Sequence, residues 1–317
     1  MSSNLISYVQ LITGLTFMAA IPAAAWWLVF YKKQREDRLH SLLTFGLGGL
    51  AVFPILYYKY LWQFFPSIDI HNYLSKVSHI TVSVGDIIAI PLSVILFFAF
   101  VGVLEEIMKL SVVHAVDDHR LRHIDDAIMF SIIAALGFSF VENISYFYDA
   151  YTKGGVDTLF VNFIFRSLFS TFAHVLFSAI CGYYYGIGHF AKPLLQKELT
   201  VNRHRFWSWF HRIFKFKTEN FFHEEKILQG LFISVILHGV FDIFLQMRWD
   251  YVMVPYLVVG YLYVRHLFNQ KENHRRLDLL MEEERNNVSL TPNSTRRWDR
   301  LLKWAGRQES GSFWKFC

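Results

Sequence analysis

The sequence predicts an all-α polytopic membrane protein: a bundle of about seven transmembrane helices with a polar intramembrane cavity, N-terminus outside and C-terminus inside. Three observations predict it. Of 317 residues, 54% are hydrophobic, with 32 Phe, 16 Tyr and 9 Trp, and only 18% are charged, less than in ordinary soluble domains. The apolar residues come in blocks that reach the roughly 20 residues a helix needs to cross hydrocarbon. Between the blocks, Lys and Arg collect on alternate connections.

The blocks place spans at about residues 5 to 31, 43 to 65, 88 to 116, 127 to 149, 158 to 188, 227 to 246 and 251 to 268. The first follows an uncharged "MSSN", is too long for a signal-peptide core and has its positive charges behind it, so it reads as an anchored span. "KKQREDR" follows span one, and segment 189–226 carries Lys192, Lys197, Arg203, Arg205, Arg212, Lys215, Lys217 and Lys226, whereas loops 66–85 and 150–157 offer only Lys76 and Lys153. The positive-inside bias therefore puts the N-terminus out and the C-terminus in the cytoplasm. Residues 1–268 read as the transmembrane bundle, with a basic cytoplasmic loop at 189–226, and 269–317 as a charged cytoplasmic tail. "RFWSWFHRIFKFK" has the pattern of a helix lying in the headgroup plane. Cys181 and Cys317 make neither a disulfide framework nor a metal-binding Cys spacing.

Ionisable residues inside the spans carry the functional information. Span three contains "VGVLEEIMKLSVV", with Glu105, Glu106 and Lys109 in apolar sequence. Each such residue costs about 2.5 to 3.5 kcal/mol at the centre of a lipid-facing helix. Turned inward they can be paired, and at spacings of three and four Lys109 reaches either carboxylate. A charge cluster that merely locks helices together would do the same, but other spans repeat the anomaly. Span four adds Glu142 and Asn143, span five adds His174 among small residues, and span six adds His238 and Asp242, four apart on one face. One layer of the bundle thus gathers carboxylates and imidazoles from facing helices, as bundle cores do when they build metal or acid–base sites. Arg166, in the outer part of span five, reads as a residue that snorkels or meets Asp149 or Asp157, and Asp125 and Asp126 as helix caps.

"EEIMK", "DDAIMFSIIAALGFSFVEN", "AHVLFSAICGYYYG" and "LHGVFDIF", in this order on successive spans, resemble the motifs of the PrsW family of intramembrane proteases, within the wider superfamily that includes the CAAX prenyl proteases. The resemblance covers about residues 86 to 268. The CAAX branch, which resembles EExxxR, fits less well because position 110 is Leu. The resemblance implies an intramembrane endopeptidase in a multi-pass plasma membrane setting, cleaving a single-span membrane protein such as an anti-sigma factor in regulated proteolysis. Membrane lipids and that substrate are the expected partners, and nucleic acid is not. On this basis Glu105 or Glu106 is expected to deprotonate a water. His174 and His238, with Glu142 or Asp242, hold a divalent metal or orient the water. Asn143 stabilises the oxyanion and Lys109 tunes the glutamate pair. Zinc is the preferred ion, since two imidazoles and a carboxylate suit it, although no HExxH segment fixes the geometry on one helix. A metal-free glutamate mechanism uses the same groups. The competing class is a proton- or cation-coupled transporter with a buried Glu/His/Asp relay; no convincing sequence repeat between halves supports it.

Overall fold

The structure is a computed structural model that describes residues 2–31, 38–84, 88–190 and 218–288. Its helices are α1 (Ser2–Tyr31), α2 (Arg38–Leu50), α3 (Phe53–Leu61), a short α4 (Ile70–Leu74), α5 (Leu92–Val112), α6 (Ile124–Phe165), α7 (Thr171–His189), α8 (Thr218–Gln246) and α9 (Asp250–Val288). Five segments are long and apolar enough to cross a membrane: Leu5–Val29, Arg38–Leu61, Ile124–His189, His223–Gln246 and Asp250–Gln270. Helix α5, 21 residues long, has the length to cross as well, but its three ionisable residues set it apart from those five in composition. The chain divides into two compact units, Met1–Gly186 with Ile227–Val264, and Ile187–Lys226 with Arg265–Cys317. The first unit holds Glu105, Glu106, Lys109, Glu142, His174, His238 and Asp242. The expected surface helix around residues 205–217 and the C-terminal stretch beyond 288 lie outside the described residues.

Two boundaries depart from the sequence reading. Residues 81–91 are a β-hairpin, with β1 (Thr81–Val84) antiparallel to β2 (Ile88–Pro91), so the third span starts at Leu92 and Pro91 caps it from an extended conformation. Predicted spans four and five run together as α6, a π-helical turn at Arg166–Ser170, and α7. Gly155 interrupts α6 with φ 71° and ψ −161°, a conformation open to glycine alone at little cost. Arg166 nevertheless touches Glu142, and in a straight helix 24 residues would separate them by about 36 Å. The chain therefore folds back at Gly155, and α6 is a helical hairpin whose arms meet through Phe147, Leu159 and Phe163.

Close helix approaches set the depth of the buried polar layer. A Cβ on Gly137 would collide with the Phe45 carbonyl, and one on Gly102 would sit 3.2 Å from the Val235 oxygen. Small residues let α2 meet α6, and α5 meet α8, backbone to backbone, as expected where dispersion rather than the hydrophobic effect holds helices together. Around these contacts Ile132, Leu136, Phe138, Phe177, Ile180 and Tyr183 are fully buried. Asp126 caps the start of α6 as predicted, its Oδ2 accepting from the amides of Arg122 (2.9 Å) and His123 (3.1 Å).

Candidate active site

The α5–α8 approach brings the EEIMK glutamates against His238. Lys109 Nζ donates to Glu106 Oε1 at 2.7 Å and lies 3.7 Å from Glu105 Oε2, so the predicted pairing along one helical face holds. His238 Nδ1 lies 2.8 Å from the same Glu106 Oε1. A carboxylate oxygen can only accept, so Nδ1 carries a proton, and in the neutral ring Nε2 then presents its lone pair. That Nε2 faces Glu105 Oε2 at 3.5 Å and Asp242 Oδ2 at 3.7 Å. Glu106 thus orients the imidazole from behind, as outer carboxylates do for histidines that bind metals or move protons.

His174, from α7, completes the layer. Lys109 Nζ is 2.9 Å from its Nδ1 and Glu142 Oε2 is 3.0 Å from its Nε2. An ammonium only donates, so with Lys109 charged the ring proton of a neutral His174 sits on Nε2 and points at Glu142. The two imidazoles meet edge to face with centroids 5.2 Å apart. Phe138 closes the layer from below, with Lys109 Nζ 4.6 Å from its ring centroid.

A cavity of about 220 Å³ opens onto this layer, lined among others by Glu105, Glu142, Arg166, His174, His238 and Asp242. Glu106, Lys109 and Asn143 are not in its wall. The two glutamates of the motif therefore differ: Glu105 faces the cavity, and Glu106 faces Lys109 and His238. Buried Glu105 Oε2 has no hydrogen-bond partner among the described residues. A buried, unsatisfied carboxylate oxygen is rare and marks either strain or a place where a missing group binds.

Two sequence expectations are corrected. Arg166 meets neither Asp149 nor Asp157. It is 6% exposed, donates through Nη2 to Glu142 Oε2 at 2.8 Å and through Nε to Asn143 Oδ1 at 2.6 Å, and stacks over Tyr146 with Cζ 3.8 Å from the ring centroid. The reversal at Gly155 carries it there. Asn143, expected at the oxyanion, is committed elsewhere: Oδ1 accepts from Arg166, and Nδ2 donates to Thr171 Oγ1 at 3.2 Å. Its amide helps join the arms of the hairpin, so the cavity-facing donor on this side is Arg166.

For a metal, the structure brings together a different set from the one expected. Ligand atoms of Glu105, His174 and His238 lie within 4.8 Å of one another, whereas Glu142 is held by Arg166 and His174. Two imidazoles and one carboxylate make a three-ligand set of the kind that leaves a zinc ion one open position. The lone pair on His238 Nε2 and the unsatisfied Glu105 Oε2 fit such an ion, and at His174 a cation on Nε2 would take the place of the ring proton.

Comparison with known proteins agrees with this constellation. The family model described as PrsW family intramembrane metalloprotease matches residues 36–267. The chain is 28% identical over 239 residues to a protein named Protease PrsW from Geobacillus kaustophilus (strain HTA426), an alignment covering 73% of this chain and 80% of that one. No solved structure gives a significant match. Buried carboxylates and imidazoles converging on a cavity, together with a family match over most of the chain, establish a multi-pass membrane protease that belongs to the PrsW family of intramembrane metalloproteases.

Proposed function

We propose that the protein is an endopeptidase that hydrolyses a peptide bond of a single-span membrane protein within the α5–α8 cavity, using a water activated beside Glu105. The observation that carries this reading is Glu105, which lines the cavity and whose Oε2 has no hydrogen-bond partner among the described residues and lies 3.5 Å from His238 Nε2 and 3.7 Å from Lys109 Nζ. A cavity water beside these atoms meets a carboxylate that takes its proton and a neutral imidazole that accepts its second hydrogen, which aims the water's lone pair at the scissile carbonyl. Glu106 and Lys109 hold His238 and His174 in their tautomers. Arg166 keeps Glu142 oriented and adds a positive charge to the wall, where oxyanion charge develops. With the divalent cation that the family's metalloprotease character implies, zinc by donor type, Glu105, His174 and His238 would instead be its ligands, and the ion would supply Lewis-acid polarisation of the carbonyl and of the attacking water in place of direct proton removal by Glu105.

The peptide bonds of a transmembrane helix are hidden in its own hydrogen bonds, so the substrate segment must unwind before it can fill the cavity. A single-span protein, such as an anti-sigma factor under regulated proteolysis in a plasma membrane, is the substrate class in keeping with the motifs. The test is co-expression with a panel of tagged single-span reporters, comparing wild type with Glu142→Gln and His174→Ala. Cleavage of a reporter by wild type, lost in both variants while the folded protein accumulates, supports the reading. If no reporter is cleaved and the substitutions alter cation flux in proteoliposomes instead, the cavity serves transport and the proposal fails.

A further inference from the structure

Separate from the main cavity, a second void of about 10 Å³ is lined by Glu106, Lys109, Leu110, Ser131, Ser178 and Cys181. That is about the volume that admits one water, which also needs two to four polar partners. Three are present. Glu106 Oε2, Ser131 Oγ and Ser178 Oγ are buried without a hydrogen-bond partner among protein groups, on residues 1%, 4% and 2% exposed. The three unsatisfied oxygens, from α5, α6 and α7, belong to residues that line one water-sized space, in a membrane bundle where each unmet polar group is costly. Gly182 lets α7 come this close to α6: a Cβ there would lie 2.6 Å from Ser131 Oγ and 2.8 Å from the Ala127 oxygen.

We propose that this void is a binding site for a single resident water that donates to Glu106 Oε2 and accepts from the Ser131 and Ser178 hydroxyls. Its consequence runs through one carboxylate. Glu106 Oε1 already takes Lys109 Nζ and His238 Nδ1, and a donor at Oε2 fixes the plane of the carboxylate and with it the direction of the His238 ring. Ser131 and Ser178 are then positioning residues for the peptidase reaction, on which this role depends; the water site itself does not.

Two measurements on the full chain in lipid nanodiscs test it. The first is an experimental density map that resolves ordered water. A peak within hydrogen-bond distance of Glu106 Oε2, Ser131 Oγ and Ser178 Oγ is expected, and direct Ser-to-Glu106 hydrogen bonds across a collapsed void overturn the proposal. The second is cleavage of a single-span peptide carrying a fluorophore and a quencher. Ser178→Val fills the void with a methyl group, and the fall in kcat should be about 10-fold with KM unchanged, the scale of a lost supporting contact behind a functional histidine. Ser131→Ala with Ser178→Ala gives the same split if the valine variant does not fold. Wild-type kcat in these variants, alongside a Glu105→Gln control that is dead, removes the positioning role and leaves the hydrolytic reading standing. A Glu105→Gln enzyme that cleaves normally removes the hydrolytic reading, and the density then judges the water alone.

Discussion

Glu105, beside His238, and Asp117, beside His40, are both buried carboxylates twelve residues apart in the chain, yet they are built for different ends. Asp117 is fully buried, with His40 Nε2 at 2.7 Å and the Thr44 hydroxyl donating at 2.8 Å to one oxygen. It pins the π-helical turn that follows α5 (Val113–Asp117) to α2 and does not line the main cavity. Each carboxylate keeps one oxygen without a hydrogen-bond partner among the described residues, Glu105 Oε2 and Asp117 Oδ2, but Glu105 lines the cavity. Burial of charge does not separate a catalytic group from a structural one. Lining the open cavity does.

The contrast can be broken at several strengths. His238→Ala removes the imidazole that faces Glu105 Oε2 and should cost about 10²- to 10⁴-fold in kcat, the usual worth of a positioned acid–base group; single-turnover cleavage of the fluorogenic reporter measures it. Removing the metal comes next. Exhaustive chelation of the purified protein should abolish cleavage, with activity and stoichiometric zinc returning together on reconstitution, and full activity in metal-free protein would leave the glutamates to act alone. Arg166→Ala strands Glu142 and Asn143, and breaking a buried pair costs about 3 to 5 kcal/mol. A lower melting temperature with reduced cleavage is expected, and Arg166→Lys should recover stability better than rate, because a lysine cannot reach Glu142 and Asn143 as a fork.

At the structural cluster the effect is smallest and depends on pH. Burial pushes the Asp117 carboxyl up to about 7 from its ordinary 3.8, against the Thr44 hydrogen bond and Arg120, which pull it down. A carboxyl raised in the folded state contributes stability that is complete below its unfolded pKa and is lost as pH rises through the folded one. Between pH 4 and 8 the wild-type melting temperature should therefore fall as pH rises, with His40, Asp118 and Arg120 as the neighbouring charged groups. Asp117→Asn should flatten that slope and change cleavage by less than threefold, within the range of substitutions remote from chemistry. A cleavage defect as large as that of His238→Ala would erase the distinction between the clusters.

Most of the site was legible because membrane insertion makes ionisable residues conspicuous. Glu105, Glu106, Lys109, Glu142, His174, His238 and Asp242 stand out in apolar sequence, and helical spacing alone places Lys109 beside the glutamates. What stayed hidden depended on chain reversal and side-chain choice. Arg166 is the partner of Glu142 because Gly155 folds α6 back, with Glu142 13 residues before the turn and Arg166 11 after it; that near-symmetry about a Gly-Gly pair was the available signal. Which motif glutamate faces the cavity could not be read from adjacent positions, since a difference of about 100° around the helix points to either side until the neighbours are known. The hairpin was obscured because "IAIP" merges into the apolar run of α5, although "TVSV" is a strand-like alternation.

The central claim is that a water in the α5–α8 cavity attacks the substrate with help from Glu105. Cleavage of the single-span reporter in ¹⁸O-labelled water, followed by mass spectrometry of the new C-terminus, tests it most directly. Wild-type protein should place one heavy oxygen there, and folded Glu105→Gln should yield essentially no product, a loss of at least about 10²-fold. Product formed by Glu105→Gln at the wild-type rate, carrying the same label, would contradict the account.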